Sequence, residues 1–467
     1  MSGRRGDRRL GRGRGRFLSP ALTLLLISPL RAESDEWKFR GFWESRVALY
    51  VAPQTRGNPV SEASSHFHGA VRYQNRYFSL VATPDLWIDT RRAIDRRSMT
   101  LSDRTDQRPI AAEGELYLDF AAVGLDFRLG KQQILWGRAD TWNPTDNITP
   151  FDYLDLLDAE RLGTVAVRVR RYFGASSLDM VWTPLFTPTR LPLPSGRWFP
   201  GGDPQSPGLA VTLLPARFPA VTAGNSQFAL RWDQSRHAWD YSLSYFDGWN
   251  DLPDFEPAMP VTSFPSAPEV TQFPEVSLAR SFRRIQVAGA DFAGVLWGLG
   301  TRGEIALVHP EKRSPDATLA DPRNYLLYAW GADERWGDWY LLGQWTADYT
   351  FGRPTLLPFP SSQAFTAPHF FTALAGARDT VRFPDRGFGH SLLARLERSV
   401  SPRSSWSVDA LLSLSGGALL LRPEYEYQIS QTWKIQLGAH ILGGRSGEFL
   451  GQYRNNSRMY IKVKQSY

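Results

Sequence analysis

The sequence predicts an all-β fold, a transmembrane up-and-down antiparallel β-barrel of about eighteen strands (about sixteen as the alternative), with lipid outside and water inside. Three observations carry this. Apolar and polar side chains alternate with a period of two along most of the chain. Short turns alternate with long polar connections, as periplasmic turns and extracellular loops do in such barrels. Aromatic residues cluster beside the short turns: Tyr77, Tyr172, Trp232, Trp239, Trp297, Trp336, Trp339, Trp406 and Trp433 would gather into a ring at a membrane-water interface.

At the N-terminus, seven arginines from Arg4 to Arg16 precede an apolar run, Phe17 to Leu30, and Arg31-Ala32 then gives way to the acidic Glu33–Glu36. A positive region, an apolar region and a small-residue cut site mark residues 1 to 32 as a secretory signal, leaving 33 to 467 for the barrel. The run is too short, and too interrupted by Pro20 and Pro29, to cross as a helix. A basic nucleic-acid-binding tail is the competing reading, and the apolar run directly behind it argues against that. Residues 1 to 32 hold eight Arg and one Asp, a net of +7; the whole chain is also +7, so the remainder is neutral and offers no bulk attraction for nucleic acid. The absence of cysteine excludes disulfides, thiolate metal sites, Cys nucleophiles and an N-terminal lipidated Cys. Beyond the leader no apolar run reaches the roughly 18 residues of a spanning helix, whereas barrel strands average apolar with polar and escape that test.

The first strand is expected from Phe39 to Val51, with Phe39, Trp43, Val47, Leu49 and Val51 on one face and Arg40, Glu44, Arg46 and Tyr50 on the other. Trp239, Tyr241, Leu243 and Tyr245 likewise oppose Asp240, Ser242 and Ser244, and Trp433, Ile435, Leu437 and Ile441 oppose Lys434, Gln436 and His440. In the closing strand Met459, Ile461, Val463 and Tyr467 share the apolar face, which Gln465 interrupts. Short turns are expected near Asn75-Arg76, Ala121 to Gly124, Gly174-Ala175, Gln234 to His237, Ala293-Gly294, Glu334 to Gly337, Ser401 to Arg403 and Ser430 to Thr432. Prolines crowd the long connections Thr187 to Gly224 and Trp249 to Ala279, where no ladder hydrogen bond is lost. Pro423 falls inside an expected strand, Ala418 to Ile429, and asks for a bulge or a different strand count.

The densest polar cluster runs from Gly130 to Asp155. A strand with Asp126 and Arg128 on its inner face leads into a connection bearing Arg138, Asp140, Asn143, Asp146, Asn147, Asp152 and Asp155, and the next strand returns Arg168 and Arg170 to the same inner face. Folded into the lumen, this connection would form a constriction with basic groups on the wall and acidic groups on the insert; left outside, its Asn, Pro and Asp residues would simply make turns. His66 and His68 share a strand face with Arg72, but no Asp or Glu stands nearby at ligand spacing, so lumenal polar residues rather than a metal site are expected, and no cofactor. No GxSxG, HExxH, Walker or dinucleotide string occurs, and the remaining histidines are scattered, so no catalytic set is assembled.

The string GKQQILWGRADTWNPTDNITPFDY, the Arg161-Leu162-Gly163 that follows and the closing GEFLGQYRNNSRMYIKVKQSY resemble the large bacterial outer-membrane porin-like group that includes alginate-export-type barrels. That resemblance implies a barrel of roughly eighteen strands giving aqueous passage across the outer membrane, with polysaccharide as one class of cargo. Passage of polar solutes or a saccharide chain is thus the expected function, and a plugged structural barrel anchoring a partner complex is the rival. Expected partners are outer-membrane lipid and lipopolysaccharide, the barrel-assembly machinery, and periplasmic polysaccharide-export or transport components.

Overall fold

Alternation of side-chain character forces alternate residues to opposite faces of each strand, and ring closure then satisfies every strand edge. The computed structural model describes residues 35–52, 59–90, 94–95, 103–193, 195–199, 211–257, 276–312, 323–352, 389–445 and 448–467. The expected leader, and most of the expected connections Pro310 to Arg323 and Phe351 to Arg386, lie outside the described residues. Eighteen strands form one sheet. In chain order they are β1 (Glu36–Tyr50), β2 (Ser61–Gln74), β3 (Phe78–Asp89), β4 (Ala111–Ala122), β5 (Leu125–Gln132), β6 (Thr164–Phe173), β7 (Ser176–Thr183), β8 (Gln227–Arg236) and β9 (Trp239–Trp249). They continue as β10 (Arg284–Leu296), β11 (Leu299–Pro310), β12 (Tyr325–Trp336), β13 (Trp339–Thr350), β14 (Ser391–Ser401), β15 (Ser404–Ser413), β16 (Leu419–Gln428), β17 (Trp433–Gly443) and β18 (Arg458–Ser466). Each pairs antiparallel with the next, and β18 returns to β1 with Phe42 opposite Ser466 and Tyr50 opposite Arg458. The fold is a closed antiparallel barrel.

The two faces differ in character. On β1, Val47 and Leu49 are exposed while Arg46, Ala48 and Tyr50 are buried; on β11, Ile305 and Leu307 are exposed while Glu304, Ala306 and Val308 are buried. On β18, Met459 and Ile461 are exposed and Arg458 and Tyr460 buried, with Tyr467 also exposed and Val463 half-buried. Large apolar side chains therefore point outward and charged ones inward, the reverse of a water-soluble domain.

Two details differ from expectation. Ala293 and Gly294 lie within β10, paired with Asp240 and Trp239, and the turn falls later, at Trp297 and Gly298. Pro423 needs neither a bulge nor a new count: β16 pairs with β17 from Leu419 to Leu421 and from Glu424 to Gln428 in one unbroken register, skipping the two positions around the missing N–H. A bulge occurs instead between Ala82 and Pro84 on β3, where proline interrupts the ladder with β4.

Candidate functional site

Residues 133–163 join β5 to β6, and their path is set by what they must bury. Ile134 and Trp136 pack on the inner wall against Ala166, Val181, Ala229, Phe246, Ile285 and Val287, a cluster that continues through Ala306 and Val308 to Tyr325 and Leu327. The wall facing this insert is apolar there. At Gly137 the backbone takes φ +95°, and a Cβ would sit 2.5 Å from the Glu304 carboxylate, so the close approach requires glycine. Glu304, on β11 and 4% exposed, collects the insert's free donors. The Arg138 amide donates to it, as do the Ala139 amide at 2.6 Å, the Thr145 amide at 3.2 Å and the Thr145 hydroxyl at 3.0 Å.

Side chains extend the reach around the wall. The Arg138 guanidinium donates to Asp291 on β10, to the Ser242 hydroxyl on β9 at 2.5 Å and to Asp233 on β8 at 3.3 Å. Asp140 meets Arg302 on β11 at 2.9 Å, and its amide donates to Gln344 on β13 at 2.9 Å. Burial raises the Asp140 carboxyl above its usual value, against the pull of Arg302. Further on, a two-residue pairing of Phe151–Asp152 with Glu160–Arg161 stiffens the insert. Arg161 pairs with Asp146 and lies over the Phe151 ring at 3.7 Å. Asn143 and Asn147 bond the insert's own carbonyls, those of Trp136 and Pro144.

The far end docks on the opposite wall. Leu156 and Leu157 pack against a cluster holding Leu393, Leu411, Leu420 and Leu442, contributed by β14 to β17, together with Trp198 and Tyr453. Asp155 and Asp158 bridge the β18–β1 seam: Arg458 reaches both at 2.7 Å, while Arg46 lies 3.1 Å from Asp155 and also pairs with Asp158. Arg458 donates as well to Tyr50 Oη at 3.1 Å and to His440 Nδ1 at 3.0 Å. Burial opposes ionisation of Asp158, yet Arg46 and Arg458 hold its carboxyl below the usual range. Asp152 is also held low, because Arg108 at 2.9 Å and Arg190 at 2.5 Å outweigh its burial. Glu160 goes the other way. Burial pushes it up to about 7, against Arg108 and with the carboxylates of Asp152 and Asp85.

The insert thus crosses the barrel interior, touching β8 to β13 near its start and β14 to β18 and β1 near its end. The residues expected to form one site divide into two groups. Arg138, Asp140, Asn143, Asp146, Asn147, Asp152 and Asp155 belong to this crossing. Asp126, Arg128, Arg168 and Arg170 do not meet it: Arg128 pairs with Asp119 at 2.7 Å, Arg168 and Arg170 both pair with Asp179, and Asp126 is exposed opposite Arg170. The expected division into basic wall and acidic insert holds only in part, because each buried charge takes whichever partner faces it. Arg138 on the insert meets wall acids, and Asp155 and Asp158 on the insert meet wall arginines. Asp291, Arg190 and Arg458 were not singled out by the sequence, since they lie far along the chain from the groups they pair with.

A family described as a protein of unknown function (DUF1302) matches residues 113–323, which include β5, the whole insert and β6. A comparison with curated proteins gives no match. Among solved structures, OccAB4 of Acinetobacter baumannii aligns at 7% identity and a TM-score of 0.49, covering 94% of this chain and 99% of that one. OccK9 (OpdG) of Pseudomonas aeruginosa aligns at 8% identity and a TM-score of 0.48, covering 93% and 98%. OccK3 (OpdO) of the same organism aligns at 9% identity and 0.46, covering 92% and 95%.

Proposed function

We propose that this chain is a porin-like channel of the outer membrane, with residues 133–163 as its constriction. The observation that supports this most is the crossing itself: a closed barrel with a charged inner face, spanned by a polar insert anchored on both walls. Such an element narrows the passage and lines it with fixed charges of both signs, an arrangement that favours hydrated polar solutes over apolar ones. Asp126, Arg128, Arg168 and Arg170 would then line the wider lumen near the short turns and not the narrowest point. Polar solutes or a saccharide chain are the proposed cargo, and passage rather than catalysis the proposed role. Residues 1 to 32 would direct export to the periplasm, and the barrel-assembly machinery would insert the mature chain among lipid and lipopolysaccharide, beside any periplasmic export components.

The two apolar clusters that seat the insert favour a second reading, a barrel plugged by its own loop and serving as an anchor for a partner. Planar-bilayer recording separates the two. Steady ohmic conductance that falls on adding polar solutes of increasing size supports the channel, and a silent membrane under conditions in which a control porin conducts sinks it.

A further inference from the structure

His66 and His68 sit two apart on β2, so both rings project from one face, the inner one shared with Glu44 and Phe42 opposite them on β1. The β2–β3 register then places Asp85 opposite His68 and Trp87 opposite His66. His66 Nε2 and His68 Nδ1 each lie 2.8 Å from Asp85 Oδ1, and the three possible ligand atoms fall within 4.8 Å of one another. The sequence offers no acid at ligand spacing within β2; the hairpin supplies one from the neighbouring strand.

The groups are held in place. His66 stacks on Trp87 with ring centroids 3.5 Å apart, and Arg108 covers Trp87 at 4.1 Å. His68 stacks on Phe42 at 5.2 Å. Asp85 Oδ2 rests over Gly114, where a Cβ would lie only 2.6 Å away, so the missing side chain makes room for the carboxylate. Side-chain exposures of 15%, 32% and 13% for His66, His68 and Asp85 leave the cluster seated in the wall yet open to the lumen.

We propose that His66, His68 and Asp85 form a binding site for one divalent transition-metal ion of Zn2+ or Cu2+ type. Two imidazoles and a carboxylate on rigid strands are the three-ligand set that such ions take, with water completing the shell from the open side. Tetrahedral coordination places ligand N and O about 3.3 Å apart, so each 2.8 Å contact opens by about half an ångström as the ion enters. Each ring gives up its N–H bond to Asp85 and binds the ion in the tautomer that carries its proton on the other nitrogen, His66 Nδ1 and His68 Nε2, which leaves the ligating lone pairs for the metal.

The test is calorimetric titration of tag-free, chelator-treated protein in detergent with ZnCl2, and it is independent of whether the barrel conducts. One saturable equivalent per chain is expected, weakened at least tenfold in His68→Ala and in Asp85→Asn and lost in a His66→Gln, His68→Gln double variant that retains the heat-modifiable gel mobility of a folded barrel. Absence of a stoichiometric site in the unmodified protein, or a folded double variant that binds as the parent does, overturns the proposal. Cu2+ electron paramagnetic resonance on the unmodified protein needs no variant: hyperfine structure from two imidazole nitrogens supports the site, and its absence at one equivalent of Cu2+ overturns it.

Discussion

Replacing Glu304 with alanine is expected to release the start of the insert from the wall. Glu304 is buried and accepts from three backbone amides and one hydroxyl, those of Arg138, Ala139 and Thr145. Each hydrogen bond to an ionised group contributes ~1.5–3 kcal/mol net. Four donors on one carboxylate are not additive, so the loss is set at about 3–5 kcal/mol, the cost of leaving two or three buried donors unsatisfied. At about 1.4 kcal/mol per factor of ten, docking of residues 137–145 weakens by on the order of a hundredfold to a thousandfold. Hydrogen-deuterium exchange read by mass spectrometry reports this directly: protection of the Arg138, Ala139 and Thr145 amides should fall by roughly a hundredfold or more, while ladder amides of β10 and β12 keep theirs. Unchanged protection at those amides in a correctly folded Glu304→Ala barrel would refute the anchoring argument.

At the other end, an Asp155→Ala, Asp158→Ala pair strips Arg458, which is 1% exposed, of both carboxylates. The unpaired guanidinium costs about 3–5 kcal/mol, so the temperature at which the barrel loses its fast gel mobility should drop, while Asp155→Ala alone, which leaves Asp158 bridging Arg46 and Arg458, should drop it less. For pH, the sign follows from Glu160. Its carboxyl is raised from 4.5 to about 7 when the insert is docked, so its contribution to docking is fully present below pH 4.5, declines between there and about 7, and is constant above. Exchange of insert amides, corrected for intrinsic rates, should therefore be slower at pH 5 than at pH 8, and Glu160→Gln should shrink the difference; a pH-independent parent would contradict the burial of that carboxyl.

The barrel was largely legible because a strand with exposed apolar side chains on one face and buried, often charged ones on the other writes its fold into a two-residue rhythm. Val47 and Leu49 against Arg46 and Tyr50 can be read without knowing any partner strand. Turn positions are less secure, since Ala293 and Gly294 look like a break when only composition is read, yet both are laddered on two sides. The site was half legible. The polar density of Gly130 to Asp155 announces an unusual connection, but its partners Glu304, Asp291, Arg190 and Arg458 are brought near only by closure of the ring, which no local pattern encodes. Asp85 beside His66 and His68 is intermediate: a hairpin about Asn75-Arg76 folds it back onto them, and counting residues across that turn would have found it.

The central claim is that residues 133–163 cross the lumen and set its width. Single-channel conductance of the barrel with residues 139–160 replaced by a short glycine-serine linker tests it most directly. The account predicts a folded barrel whose unitary conductance exceeds that of the parent several-fold, with weaker ion selectivity because the fixed charges of Arg138, Asp140, Asp152 and Asp155 are altered or gone. Equal conductance and equal selectivity in the two proteins would contradict it.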